Sequence, residues 1–179
     1  MKHPLEFLPS NLRRSFFFGF LVLTLTMFGV FNILDQPLRT SAAPNGIVSY
    51  ELAGSPENAQ AMLTSWDENA RLFAAFGLGF DYLFMPAYAL ALSLGLLLAG
   101  SAKPAWLQKM TAWLGWGVLF AALFDAVENY ALWKILTGSV NSSFPLIAAV
   151  CANIKFVLLI LGLLVAIAGA FIKKQSQPK

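Results

Sequence analysis

Three polar side chains lie on one face of a segment that is otherwise apolar. In FDAVENYALWKI, residues 124–135, Asp125, Glu128 and Asn129 are spaced at i, i+3 and i+4. In an α-helix this spacing places all three on the same face. Two carboxyl groups in an apolar helix can hold a cation, or one of them can keep its proton and donate it to a substrate.

Two further ionisable residues lie in other apolar segments. Counted from the outer end of its own run, Asp81 is nine residues deep, Asp125 nine and Lys155 ten. At ~1.5 Å of rise per residue, the three share a layer roughly 14 Å below the outer boundary. A charged side chain that faces hydrocarbon costs at least ~2.5 to 3.5 kcal/mol, so we expect these residues to turn inward and meet.

The charges of this layer do not balance. Asp81, Asp125 and Glu128 supply three potential negative charges, and Lys155 supplies one positive charge. Either some carboxyl groups keep their protons, or a cationic ligand group completes the balance. The alternative is that Lys155 bridges the acids and holds the helices together as a structural element. Five residues near the layer are predicted to support it: Tyr82, Pro86, Tyr130, Cys151 and Asn153.

Long apolar helices must position these residues. Of the 179 residues, 58% are hydrophobic and 12% charged, and the mean hydropathy is +0.68. This composition is typical of an integral membrane protein. Four runs contain the roughly 20 apolar residues that a spanning helix needs: 12–34, 72–99, 106–136 and 145–172. The sequence predicts one all-α membrane domain over residues 1–179, a bundle of four transmembrane helices.

The basic residues predict the orientation of this bundle. Eight lysines and arginines lie on one side of the predicted spans and three lie on the other. The positive-inside rule then predicts a multi-pass protein with both termini in the cytoplasm. The basic residues form no nucleic-acid patch, so the expected partner is the lipid bilayer. A homo-oligomer or a larger membrane complex is left open.

Cysteine and histidine usage limits the cofactor chemistry. The chain has one cysteine, Cys151, and one histidine, His3, which lies in the N-terminal tail. A cysteine-rich metal site and an intramolecular disulfide are therefore excluded. We expect no metal and no cofactor.

The outer loop, residues 35–71, is predicted to contain an amphipathic helix at about 56–70. Ser55 is a plausible N-cap, and Pro56 suits the first helical position. Apolar residues then repeat at helical spacing: Ala59, Met62, Leu63, Trp66, Ala70 and Phe73. This stripe predicts either a helix resting on the lipid interface or a lid over the outer mouth of the bundle.

The segment NLRRSFFFGF near the N-terminus allows another interpretation. Paired arginines before an apolar run resemble a twin-arginine export signal. The run is long and rich in phenylalanine, and three more spans follow, so a retained transmembrane helix is the simpler expectation.

GLGFDYLFMPAYALAL, DAVENYALWKIL and the lysine in the last helix resemble a widespread set of bacterial four-helix integral membrane proteins with no established activity. The resemblance covers most of the chain. It implies a four-helix inner-membrane protein with Asp81, Asp125, Glu128, Asn129 and Lys155 at motif positions. The arrangement is also loosely similar to the emopamil-binding sterol isomerases, although this chain lacks their intramembrane histidines.

Three functions follow as hypotheses. The first is a non-enzymatic bundle that binds a small amphipathic or cationic ligand in an outer-leaflet cavity, or serves as an accessory subunit of a membrane assembly. The second is an isomerase-like enzyme for a lipid-soluble substrate, with Asp125 or Glu128 as proton donor. The third is a small proton-coupled transporter.

Overall fold

The computed structural model describes residues 1–173, and these fold as an all-helical chain with one short 3-10 turn at Gln36–Leu38. Four helices are long and apolar enough to cross a membrane. This confirms the predicted four-helix architecture. The six α-helices are α1 (Ser10–Leu34), α2 (Ile47–Glu51), α3 (Pro56–Ser65), α4 (Glu68–Gly100), α5 (Ala105–Leu136) and α6 (Phe144–Phe171). The spans are α1, α4, α5 and α6.

The helix boundary in the outer loop differs from the predicted one. The helix expected at 56–70 ends at Ser65, and α4 begins at Glu68, four residues before Leu72. Asp67 causes the restart, because its carboxylate accepts a hydrogen bond from the backbone N–H of Ala70 at 2.7 Å and so caps α4. At the start of α3, the Ser55 hydroxyl accepts from the N–H of Asn58, which confirms the predicted N-cap.

The chain divides into two compact units, and each span contributes residues to both. The first unit contains Met1–Thr24, Pro86–Ala122 and the chain from Lys155 onward. The second contains Leu25–Met85 and Leu123–Ile154. Their compositions differ sharply in charge. The second unit holds eight of the nine acids and three of the twelve basic residues, whereas the first holds one acid and nine basic residues.

In the first unit, the N-terminal tail folds back onto α4 and α5. Leu5 packs with Leu94 and Leu97 of α4, and the indole N–H of Trp116 donates to the carbonyl of Lys2. His3 is buried against Gly115, where any larger residue would collide with the imidazole. The glycine therefore makes room for the docked tail.

His3 should make the docking of this tail depend on pH. Burial lowers the pKa of His3 from 6.5 to about 4, and the nearby positive charge of Arg13 adds to this effect while Glu6 opposes it. Docking of the tail thus favours the neutral imidazole. The stabilisation that docking gives to the protein is complete above pH 6.5 and is lost as the pH falls towards 4. We expect the melting temperature of the native protein to fall more steeply with decreasing pH than that of His3→Gln. Parallel melting curves for the two proteins across this range would contradict the assignment.

In the second unit, residues 35–67 between α1 and α4, which we call the outer segment, pack on the adjoining turns of α4, α5 and α6. Its buried side chains share one apolar core with residues of α4, α5 and α6: Leu38, Ala43, Tyr50, Ala53, Ala59, Leu63 and Trp66. The Trp66 indole donates to the carbonyl of Leu38 at 2.8 Å and meets Tyr50 edge to face, with ring centroids 5.0 Å apart. The segment is therefore a folded part of this unit.

The apolar stripe of the outer segment contacts protein. Its members Ala59, Leu63, Trp66 and Ala70 are buried in the same core as Leu132 of α5. Met62 and Phe73 are partly buried against that core. The stripe therefore packs on protein rather than on lipid, and a lid over the mouth of the bundle stays a prediction.

Candidate functional site

The face of α5 that was predicted from spacing is buried. Asp125 is 2% exposed, Glu128 0% and Asn129 2%. All three belong to the second unit, in the part of α5 that precedes the outer core. This face is the most polar part of the span. Burying an ionised carboxyl group without compensation is costly, so the face is a candidate site.

Asn129 joins this face to α4. Its Nδ2 donates to Oδ2 of Asp81 at 2.7 Å and to the backbone carbonyl of Leu78 at 3.3 Å. The amide therefore binds a side chain and a main-chain acceptor on the neighbouring helix. The structure thus brings together Asp81, Asp125, Glu128 and Asn129 within the second unit, and we call these four residues the acidic cluster.

The outer segment contacts α5 one turn beyond the acidic cluster. The hydroxyl of Tyr50 donates to the carbonyl of Leu132 at 3.3 Å, and Leu132 is four residues after Glu128. Burial raises the pKa of the Tyr50 phenol, so it stays neutral and able to donate. This hydrogen bond therefore links the outer segment to the same helix that carries the two deepest acids.

Asp81 is the acid of the cluster nearest to the protein surface. It is partly buried, and the next residue, Tyr82, is 47% exposed. The Tyr82 hydroxyl crosses to α5 and donates to the carbonyl of Ala126 at 3.1 Å. Tyr130 is also exposed, at 54%, and its ring packs edge to face on Phe144. Both tyrosine side chains are therefore exposed, and the Tyr82 hydroxyl lies at the turn of α5 that carries Asp125.

The other predicted supporting residues occupy separate places. Pro86 lies inside α4 and is exposed, and it belongs to the first unit. Asn153 is exposed and bonds back to the carbonyl of Ala149 in its own helix. Cys151 is buried in the α6 part of the second unit.

Lys155 is buried, with 5% of its surface exposed, and belongs to the first unit. Its ammonium lies 4.9 Å from the centroid of the Phe156 ring. The chain thus has buried ionisable groups on α5 and α6 and a partly buried one, Asp81, on α4. The predicted pairing of Lys155 with the acids stays a prediction.

The sequence prediction missed one buried acid. Glu51, at the end of α2 in the outer segment, is 9% exposed and belongs to the second unit. It follows Tyr50, which bonds the outer segment to α5, so it lies in the part of the segment that packs inward. The available signal was a carboxyl beside an aromatic residue in an otherwise apolar short helix, GIVSYELAG.

The acidic cluster offers carboxylate oxygens and one amide in a low-dielectric setting, where the attraction for a positive charge is stronger than in water. Within residues 1–173, no group of three or more His, Cys, Asp or Glu residues is placed to hold a metal ion. Comparisons with protein-family models, with curated proteins and with solved structures found no match to this chain.

Proposed function

We propose that this multi-pass membrane protein binds the positively charged head of a small amphipathic ligand at the acidic cluster. The observation that carries this proposal is the burial of Asp125 and Glu128 on one face of α5, joined through Asn129 to a third acid, Asp81. A buried group of acids attracts a cation far more strongly than the same acids in water.

The charge of the second unit supports a cationic ligand. Its eight acids and three basic residues leave a formal charge of −5. One of those basic residues, Arg39, is already paired with Asp35 at 2.9 Å, and Arg71 donates to the carbonyl of Leu63. The potential of this unit therefore favours positive ligands over neutral ones.

The outer segment packs on α4 and α5 and covers one end of these helices, and this supports a ligand that arrives through the bilayer. In this proposal the outer segment acts as a lid that limits entry from water. Asp81 and the exposed Tyr82 lie at the lipid-facing edge of the acidic cluster instead. A ligand that enters there needs an apolar body as well as a positive head. An aromatic ring at the entrance can also attract a cation through its face.

The proposed orientation places the acidic cluster towards the outer leaflet. We place both termini in the cytoplasm of an inner (plasma) membrane protein, because Arg13, Arg14, Lys103 and Lys109 flank the corresponding span ends. Labelling of intact cells with an impermeant thiol reagent should modify a cysteine introduced at Ser142 and not one introduced at Ser101. The reverse pattern would contradict this orientation.

Three amphiphiles with the same dodecyl chain test the proposed ligand class. The purified protein is melted in maltoside micelles with added dodecyltrimethylammonium, dodecyl sulfate or more dodecyl maltoside. We expect the ammonium compound to raise the melting temperature in a saturable way, since binding to the folded state stabilises it. The sulfate and the maltoside should not. Equal shifts with all three, or no shift with the ammonium compound, would overturn the proposal.

A further inference from the structure

A groove of about 620 Å³ lies in the first unit, between the start of α1 and the end of α4. One part of its lining is polar and carries positive charge: Asn11, Arg13, Arg14 and Ser101. The other part is apolar and includes Phe17 and Leu97. The groove is therefore amphipathic, with the positively charged side chains and the apolar side chains on separate parts of its lining.

The positive charge of this groove is not neutralised by a carboxylate. The Arg13 guanidinium donates to the carbonyls of Leu8 and Glu6, at 2.9 Å and 2.7 Å, and both acceptors are neutral. Arg14 is exposed and makes no ion pair within residues 1–173. The lining contains no acid, and neither does the first turn of α1. The backbone N–H groups of that turn add to the positive potential.

The position of Arg13 is fixed by the fold. Its two carbonyl partners hold the side chain against the N-terminal tail, which in turn packs on α4 through Leu5. A fixed guanidinium loses little rotational freedom when it binds an anion, and its planar fork matches phosphate geometry. The polar part of the groove is therefore prepared for a phosphate group.

The apolar part decides between a free anion and a lipid. A small ion would fill only the arginine end and would leave Phe18, an exposed apolar residue of the lining, uncovered. An acyl chain that continues from a bound phosphate would cover this surface, since apolar contact stabilises burial in proportion to its area. We propose that the groove binds an anionic phospholipid, with the headgroup phosphate at Arg13 and Arg14 and an acyl chain along Phe18 and Leu98. This site is independent of the acidic cluster.

Lipid binding to the purified full-length protein tests the proposal. Native mass spectrometry is used to titrate phosphatidylglycerol and, separately, phosphatidylcholine with the same acyl chains. We expect the native protein to bind phosphatidylglycerol more tightly. Arg14→Gln should weaken that binding about fivefold, the effect of one basic residue near a lipid surface. The Arg14 side chain makes no hydrogen bond or ion pair within the described chain, so its substitution should leave the fold intact.

Lys109→Gln is the matched control, because it removes the same charge from an exposed position of the same unit outside the groove. Phosphatidylglycerol binding to this variant should match that of the native protein. Equal losses in both variants would overturn the proposal, because they would reveal general attraction to the basic unit. Equal affinity for both lipids would overturn it as well. Competition by inorganic phosphate at the same concentration as the lipid would indicate a free-anion site and would also overturn it.

Discussion

Replacing Asp125 by Asn and Glu128 by Gln together is expected to abolish the stabilisation that a dodecyltrimethylammonium ion gives to the protein. Both substitutions keep the volume and polarity of the side chain while they remove its negative charge. Each single substitution should weaken binding about ten- to a hundredfold, because a hydrogen bond or contact to a charged group is worth about 1.5 to 3 kcal/mol. The measurement is the midpoint of the thermal shift as the ammonium compound is titrated.

Asp67→Asn provides the control for this experiment. Asp67 is an exposed acid in the same unit, and asparagine also serves as an N-cap for α4. Its substitution removes one negative charge near the outer end without touching the acidic cluster. We expect its affinity for the ammonium compound to stay close to that of the native protein. If Asp67→Asn and Asp125→Asn weaken binding equally, the attraction is a property of the whole unit and not of the acidic cluster.

Trp66→Ala is expected to open the lid and to lower the free energy of unfolding by about 3 to 5 kcal/mol. Trp66 is 3% exposed, donates a hydrogen bond to the Leu38 carbonyl and packs against Tyr50. Truncation removes the ring from the outer core and leaves a buried carbonyl without its donor. Thermal unfolding measures the loss of stability, and hydrogen exchange across residues 47–66 measures the opening of the lid.

Two variants separate the packing of Trp66 from a general effect of losing a tryptophan. Trp113→Ala makes the same truncation at a side chain of α5 that is 66% exposed, so its effect on stability should be small. Trp66→Phe keeps an aromatic ring beside Tyr50 and leaves the Leu38 carbonyl without its donor, which should cost about 1 to 3 kcal/mol. A Trp66→Ala protein as stable as Trp113→Ala would show that the outer segment is not held by this residue.

The local features of the fold were predictable from the sequence. The four spans follow from run length and hydropathy, and the N-cap at Ser55 follows from the order of Ser, Pro and Glu. The shared face of Asp125, Glu128 and Asn129 follows from helical periodicity alone. Each of these features depends on residues close together in the chain. The local sequence pattern is therefore enough to predict it.

The features that join distant segments were not predictable. Spacing predicts that Asn129 turns inward, but its bond to Asp81 depends on how α4 and α5 are aligned along their axes. The stripe of the outer segment has the same pattern whether it meets lipid or protein, and contact with Leu132 decided the outcome. The bond from the Tyr82 hydroxyl to the Ala126 carbonyl depends on the same alignment of the two helices.

A structure of the protein with bound dodecyltrimethylarsonium tests the central claim most directly, because arsenic replaces nitrogen in the same cationic head and its anomalous scattering gives its position. The account predicts one arsenic peak within ion-pair distance of Asp125 or Glu128, close to the Asn129 bridge, and no peak there in the doubly neutralised variant. Arsenic found only at the lipid-exposed surface, with the acidic cluster closed and unchanged, would contradict it.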